Sequence, residues 1–415
     1  MQARLLKIIS LLLVCGFVNA KVLSLDSAIR QTLQQHPDLK AFALKVRAGQ
    51  IAKDIITSSK YPQVNLKLNY NFKQTYPIQG REGFKTTLHS GSSETLLFKQ
   101  KIYDFGKTNA LIRAAMIDTD IASLSLKDLK KLFAYRVKLL YANATLQSRA
   151  IKIKQANLRL KELYYKRALA LYKQGVKTKI DSERFLIEIE RAKDDIAQSK
   201  ANYQKAKSSL ALYMNRKLGN NVRFNSHILK HYINLHNISK KIVNKNLQIA
   251  IADKKVAKSF QEYKAKKAHF GTINLTASYS HINGLNSYNS KQVGLEADIP
   301  IYDGGHLSKE AELAKVNYQI AKLQKASKVI STKEDVQNLI LDIKRYNQNI
   351  QTAKAELKYS KDLKQVIAAR YKEGLVTYLE VLDAIDEISN ARLALLLSYY
   401  QRAVLIDKLE YLYEK

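Results

Sequence analysis

The chain has 415 residues, enough for two or three domains of ordinary size. Its formal net charge of +34 is spread over nearly every segment without an arginine-rich block, which points to a lysine-rich solvated surface rather than a nucleic-acid-binding stripe. A single cysteine, Cys15, leaves no material for a disulfide framework or a cysteine-based metal site.

A basic Met1–Lys7 followed by the apolar run Ile8–Val18 and the small-residue site Val18-Asn19-Ala20 predicts a secretory signal peptide over residues 1–20. Its removal takes away Arg4 and Lys7, leaving a charge of +32 (34 − 2). Cys15 lies inside this segment, and Val14 before it is a poor lipidation signal, so lipidation is not expected. No later run of 18 apolar residues exists, so no helical membrane anchor is expected in the exported chain, and nucleic acid is not an expected partner.

Ser24 and Asp26 open a helix through Gln35, His36-Pro37 breaks it, and Asp38–Ser59 continues as helix. The period then drops to two: Val64, Leu66, Leu68, Tyr70 and Phe72 alternate with Asn65, Lys67, Asn69 and Asn71, as in a strand with one apolar and one polar face. A loop with Gly80, Gly83 and Gly91 is expected, then a return strand with Leu96, Phe98 and Ile102 on one face, closing a hairpin over about 63–103. Residues 107–174 contain neither Gly nor Pro and predict one unbroken helix of roughly 100 Å, at about 1.5 Å per residue. Gly175 turns the chain into a helix from Asp181 to about Leu218, stopped by Gly219.

After a connector at 221–241, the order repeats. A helix spans Ile242–Ala268, and a hairpin over about 272–302 sets Ile273, Leu275, Ala277 and Tyr279 with Val293, Leu295, Ala297 and Ile299 on apolar faces. A second helix free of Gly and Pro spans 306–373, and a final helix follows Gly374. The entries Ile102-Tyr103-Asp104-Phe105-Gly106 and Ile301-Tyr302-Asp303-Gly304-Gly305 lie 199 residues apart, as do the exits at Gly175 and Gly374. The chain therefore divides into a first repeat at 21–220, the connector, and a second repeat at 242–415. Leu313, Val316, Ile320 and Leu323 space as the seam of a helix packed side by side with another, and the polar remainder keeps that helix out of lipid. The fold class expected is mainly α with a small β part, an antiparallel coiled-coil array carrying four amphipathic strands.

Strands of about ten residues with one apolar face suit a transmembrane barrel. Four strands cannot close one, and open strand edges are not tolerated in lipid. Copies of the chain must pool their strands, and three copies give twelve, enough for a pore.

At this point the sequence resembles the TolC-like outer-membrane efflux proteins over essentially the whole mature chain. The residues that carry the resemblance are Leu25-x-x-Ala28-Ile29, His36-Pro37-Asp38-Leu39, the paired Ile-Tyr-Asp-x-Gly entries, and Tyr371-x-x-Gly374 followed by Leu379-Glu380-Val381-Leu382-Asp383-Ala384. The resemblance implies a homotrimer whose strands form a 12-stranded β-barrel in the outer membrane of a Gram-negative bacterium. The long helices would form a periplasmic tunnel. It would be the passive exit duct of an efflux or type I secretion system. A periplasmic adaptor and an inner-membrane transporter of RND, ABC or MFS type would dock at the tip turns Gly175 and Gly374. No cofactor, metal or enzymatic activity is expected.

The resemblance further implies that Glu380 and Asp383 line the periplasmic entrance, with Glu387 on the same helical face, and that Tyr371 and Asp181 lock it when closed. The family's lock uses an arginine two residues past the glycine. Here that residue is Val376, while Lys177 and Lys179 flank the partner turn. Lys67, Glu296 and Asp298 fall on the polar strand faces and are expected in the barrel lumen. The reading from another class is a periplasmic coiled-coil scaffold or adaptor without a pore.

Overall fold

The computed structural model describes residues 22–80, 83–219, 222–225, 229–235 and 237–413. The signal peptide expected at 1–20, with Cys15, lies outside the described residues. The chain forms two compact units. One contains the residues up to Lys40 with Asp128–Asn246 and Thr332–Lys415, and the other contains Ala41–Lys127 and Leu247–Ser331.

The helices are α1 (Leu25–Gln35), α2 (Pro37–Ser58), α3 (Lys107–Lys173), α4 (Lys179–Tyr213), α5 (Ile238–Lys245), α6 (Leu247–Lys267), α7 (His306–Lys372) and α8 (Tyr378–Leu412). The two long helices, α3 and α7, have 67 residues each, and each ends within one residue of the expected limit. Among the described residues no helix is long and apolar enough to cross a membrane.

The strands are β1 (Val22–Leu23), β2 (Gln63–Gly80), β3 (Gly83–Tyr103), β4 (Arg223–Phe224), β5 (Thr272–Asn283) and β6 (Ser287–Asp298). In the second unit β2-β3-β5-β6 form one antiparallel sheet whose edges are β2 and β6. The register sets Val64 opposite Phe98, Phe98 opposite Ala277, and Ala277 opposite Val293. Leu66, Leu96 and Tyr279 form the next row, and Leu275 meets Leu295. The apolar positions of all four strands therefore share one face. It is largely uncovered in the single chain: Leu295 is 74% exposed and Val293 77%. Lys67, Glu296 and Asp298 fall on the opposite, polar face, where Lys99 Nζ lies 3.2 Å from Glu296 Oε1 and Thr95 Oγ1 lies 2.9 Å from Ser280 Oγ.

Four segments differ from the sequence reading. The expected loop around Gly80, Gly83 and Gly91 is strand: β2 runs 18 residues and β3 runs 21, with the register shifting between Asn71 and Gln74. A second shift, between Lys101 and Tyr103, puts Tyr103 opposite Ile273 and drops Ile102 from the pairing. The connector contains more order than an irregular segment. In the first unit β1 pairs with β4, and the Tyr141 hydroxyl donates to Leu23 O (2.6 Å) and accepts from Asn225 N–H (2.7 Å), pinning both. The helix expected from Ile242 begins instead at Ile238 and breaks at Asn246, whose backbone is extended and whose amide donates to Leu412 O at 3.0 Å.

Candidate functional site

Two helical turns in the first unit carry the residues singled out from the sequence. α3 and α7 end in the same way. Val176 N–H reaches back to Leu171 O at 3.0 Å and Gly175 N–H to Tyr172 O at 2.9 Å; Leu375 N–H reaches Arg370 O at 3.0 Å and Gly374 N–H reaches Tyr371 O at 3.2 Å. This is the Schellman pattern, which needs a left-handed residue after the helix. Gly175 (φ 76°) and Gly374 (φ 78°) supply it.

The next helices open with matching caps. Asp181 Oδ2 accepts from Thr178 N–H (2.9 Å) and Thr178 Oγ1–H (3.0 Å), and Glu380 Oε2 accepts from Thr377 N–H (2.8 Å) and Thr377 Oγ1–H (2.9 Å). Glu380 is thus a capping residue. The Thr377 backbone bond first, then the Thr377 hydroxyl, hold its carboxyl below the usual range against the opposing effect of burial, with lesser help from Arg370 and Lys177. Asp383 and Glu387 lie on the same exposed face and have no hydrogen bond or ion pair among the described residues.

Between the turns sits an apolar cluster of Tyr164, Ala168, Phe185, Tyr371, Val376, Val381, Leu382 and Ile385. Tyr371 is fully buried, edge-on to Tyr164 at 5.7 Å between ring centroids. Burial pushes its hydroxyl up to about 12, with the Asp181 carboxylate and Tyr164 adding to the rise. No hydrogen bond joins Tyr371 to Asp181, and the Tyr371 hydroxyl has no partner among the described residues. Val376 is buried in the cluster rather than reaching across. Lys177 reaches across instead: its Nζ donates to Val376 O (3.1 Å) and Gly374 O (3.5 Å) and stands 6.0 Å above the Tyr371 ring.

A second tie, absent from the sequence reading, lies farther along α3. Lys161 Nζ contacts Glu188 Oε2 (3.1 Å) on α4 and Asp386 Oδ1 (3.1 Å) on α8, and Asn157 Nδ2 donates to Asp386 Oδ1 at 3.0 Å. Burial is the largest single influence on Glu188 and raises its pKa, but Lys161 and Arg191 together bring it below the ordinary value. The signal was present: Asn157, Lys161, Tyr164 and Ala168 follow the 4-3-4 spacing of a packed seam, and a lysine at such a position needs an acid across the seam.

The model of the outer membrane efflux proteins matches residues 28–216 and 238–409. The chain belongs to that family. It is similar to nodulation protein T of Rhizobium leguminosarum bv. trifolii, 22% identical over 381 residues, which cover 88% of this chain and 80% of that protein. It is also similar to the cation efflux system protein CusC of Escherichia coli O157:H7, 23% identical over 94% of this chain and 84% of that protein. Among solved structures, CusC superposes with a TM-score of 0.82 at 20% identity, covering 94% of this chain and 92% of that one. The outer membrane protein VceC of Vibrio cholerae superposes with a TM-score of 0.82 at 16% identity, covering 94% and 95%. The chain is accordingly an outer membrane efflux protein, located in the outer membrane with its helical part in the periplasm.

Proposed function

We propose that three copies pool their strands into one twelve-stranded barrel and act as the passive exit duct of a tripartite efflux or type I secretion system. One observation carries the reading: a four-stranded sheet with a continuous, uncovered apolar face and two unpaired edges. In lipid each unpaired edge group costs several kcal/mol, so the sheet must find partners, and further copies supply identical ones. The apolar rows then face lipid, and Lys67, Glu296 and Asp298 face the lumen.

In this reading the turns at Gly175 and Gly374 are the periplasmic tips, where an adaptor docks and an inner-membrane transporter is served. Asp383 and Glu387 from each chain line the entrance, with Glu380 beside them as cap and charge. Tyr371, through the apolar cluster it shares with Tyr164 and Phe185, and Lys177 hold the two tips of one chain together, while Asp181 caps its own helix. Crowded carboxylates focus a negative potential in a narrow opening, whereas lysines more than about 8–10 Å away are screened at physiological salt.

Planar-bilayer recording tests this. A trivalent cation on the periplasmic side should block conductance. Asp383→Asn with Glu380→Gln, which retains an acceptor for Thr377, should abolish the block and shift selectivity toward anions. Wild-type block and selectivity in that variant would remove both residues from the entrance.

A further inference from the structure

The outer half of the first strand hairpin has no counterpart in the second. β3 stops pairing with β5 at Ser92, opposite Asn283, yet β2 and β3 stay paired with each other from Gln74 opposite His89 to Gly80 opposite Gly83. This two-stranded ribbon runs about 20 Å beyond the four-stranded sheet, at roughly 3.3 Å per residue. A two-stranded ribbon is marginal by itself in water and keeps one position only if something holds it. Its root carries a bulge, with one residue more between Asn71 and Gln74 on β2 than between His89 and Gly91 on β3. A bulge bends the strand that carries it.

Tyr76 marks where the ribbon is held. It is half-buried, whereas Gln74, Thr75 and Pro77 around it are exposed. Its ring end lies over two glycines: Gly91 on β3, which is buried, and Gly284, which opens the turn between β5 and β6. A Cβ on Gly284 would stand 2.5 Å from the Tyr76 hydroxyl oxygen and 2.8 Å from Cζ, and a Cβ on Gly91 would collide with the same hydroxyl. Neither glycine has a left-handed φ. The backbone at these positions therefore admits any residue, and it is the space taken by the ring that requires glycine. Gly91 alternates along β3 with Ser93 and Thr95, so a side chain there would point to the polar side of the sheet. The ring thus crosses the end of the polar face, not of the apolar one.

Resting on the exit-duct reading, in which the polar face lines the lumen, we propose that the ribbon is a strap over the outer mouth of the channel, latched by Tyr76 in the notch of Gly91 and Gly284. The strands join α2 and α3 beyond Gln63 and Tyr103, so the strap sits at the end of the sheet away from the helices. The strap belongs to the first repeat and part of its seat to the second, so the latch ties the two hairpins of one chain. With the ring seated, the strap narrows the exit. With the ring released, the strap swings clear and bulky cargo passes.

Access to the lumen in the full-length protein tests this. Gln292→Cys, on the polar face of β6, is the reporter. In intact cells a small membrane-impermeant maleimide should label it readily, and a bulky polymer-linked maleimide only slowly. Tyr76→Ala should raise the bulky reagent's rate at least tenfold and leave the small reagent's rate unchanged. Gly91→Ala with Gly284→Ala, which keeps the tyrosine but fills its seat, should do the same, whereas Tyr76→Phe, which keeps the ring, should behave as the parent. A nitroxide at Thr75→Cys in the purified protein should be held in the parent and mobile in both releasing variants. Equal bulky labelling in the parent and the releasing variants overturns the narrowing of the exit, and equal nitroxide mobility overturns the latch. If the small reagent labels Gln292→Cys in none of these proteins, the exit-duct reading fails instead, and the nitroxide still decides the latch.

Discussion

Lys161 offers the sharpest energetic test of the seam. Its side chain is 6% exposed, and the Glu188 side chain it holds is 17% exposed. Lys161→Met keeps the apolar stem but strands that acid. Removing one member of a buried pair costs about 3–5 kcal/mol. Arg191 still reaches Glu188 at 2.7 Å, and Asp386 is 44% exposed and can rehydrate, so about 2–3 kcal/mol is expected. Glu188→Gln in the Lys161→Met background should recover part of this loss, giving a coupling of about 1–2 kcal/mol in a double-mutant cycle. The sign with pH follows from Glu188. Its folded pKa lies below the ordinary 4.5, so its stabilisation is fully present above that value and is lost as pH falls through the depressed one. The assay is thermal unfolding of the detergent-solubilised protein followed by circular dichroism between pH 3 and 7. A coupling below about 0.3 kcal/mol, or one that does not change over that range, would refute the tie.

The sheet predicts unequal substitutions. Leu295→Arg should impair membrane assembly by about 2–4 kcal/mol near the midplane, whereas Glu296→Gln on the opposite face should be tolerated; equal effects on heat-resistant oligomer yield would reject the face assignment. Gly374→Ala should cost about 1–2 kcal/mol in thermal unfolding, because the added Cβ meets only Val176 Cγ1 at an ordinary 3.5 Å and the left-handed φ supplies the strain; a neutral result would show that the turn relaxes.

Much of this architecture is legible in the chain because its signals are local. Two 68-residue tracts without Gly or Pro, each closed by a glycine that ends a helix left-handed, gave the limits of α3 and α7 to one residue. Strict alternation at Val64–Phe72 and Ile273–Tyr279 set the strand faces that the register then aligned. Alternation fails at Lys73-Gln74-Thr75 and Pro77 follows, so the upper half of the first hairpin read as loop although pairing with β3 keeps it extended. α5 is eight residues long, too short for periodicity to separate it from α6. At Gly175 and Gly374 the sequence marks where the long helices end but not who touches whom. The spacing Thr377-x-x-Glu380 advertises a cap, yet the reach of Lys177 to the other turn and of Lys161 to two helices depends on how hairpins pack. These contacts join residues 27, 199 and 225 positions apart, and periodicity within one helix carries no record of them.

The pooling of strands is best decided by the native mass of the particle extracted from outer membranes in mild detergent. Three chains per particle, with twelve strands, is the predicted result. A stable single chain or a pair, with the apolar face of the sheet covered by detergent alone, would contradict it.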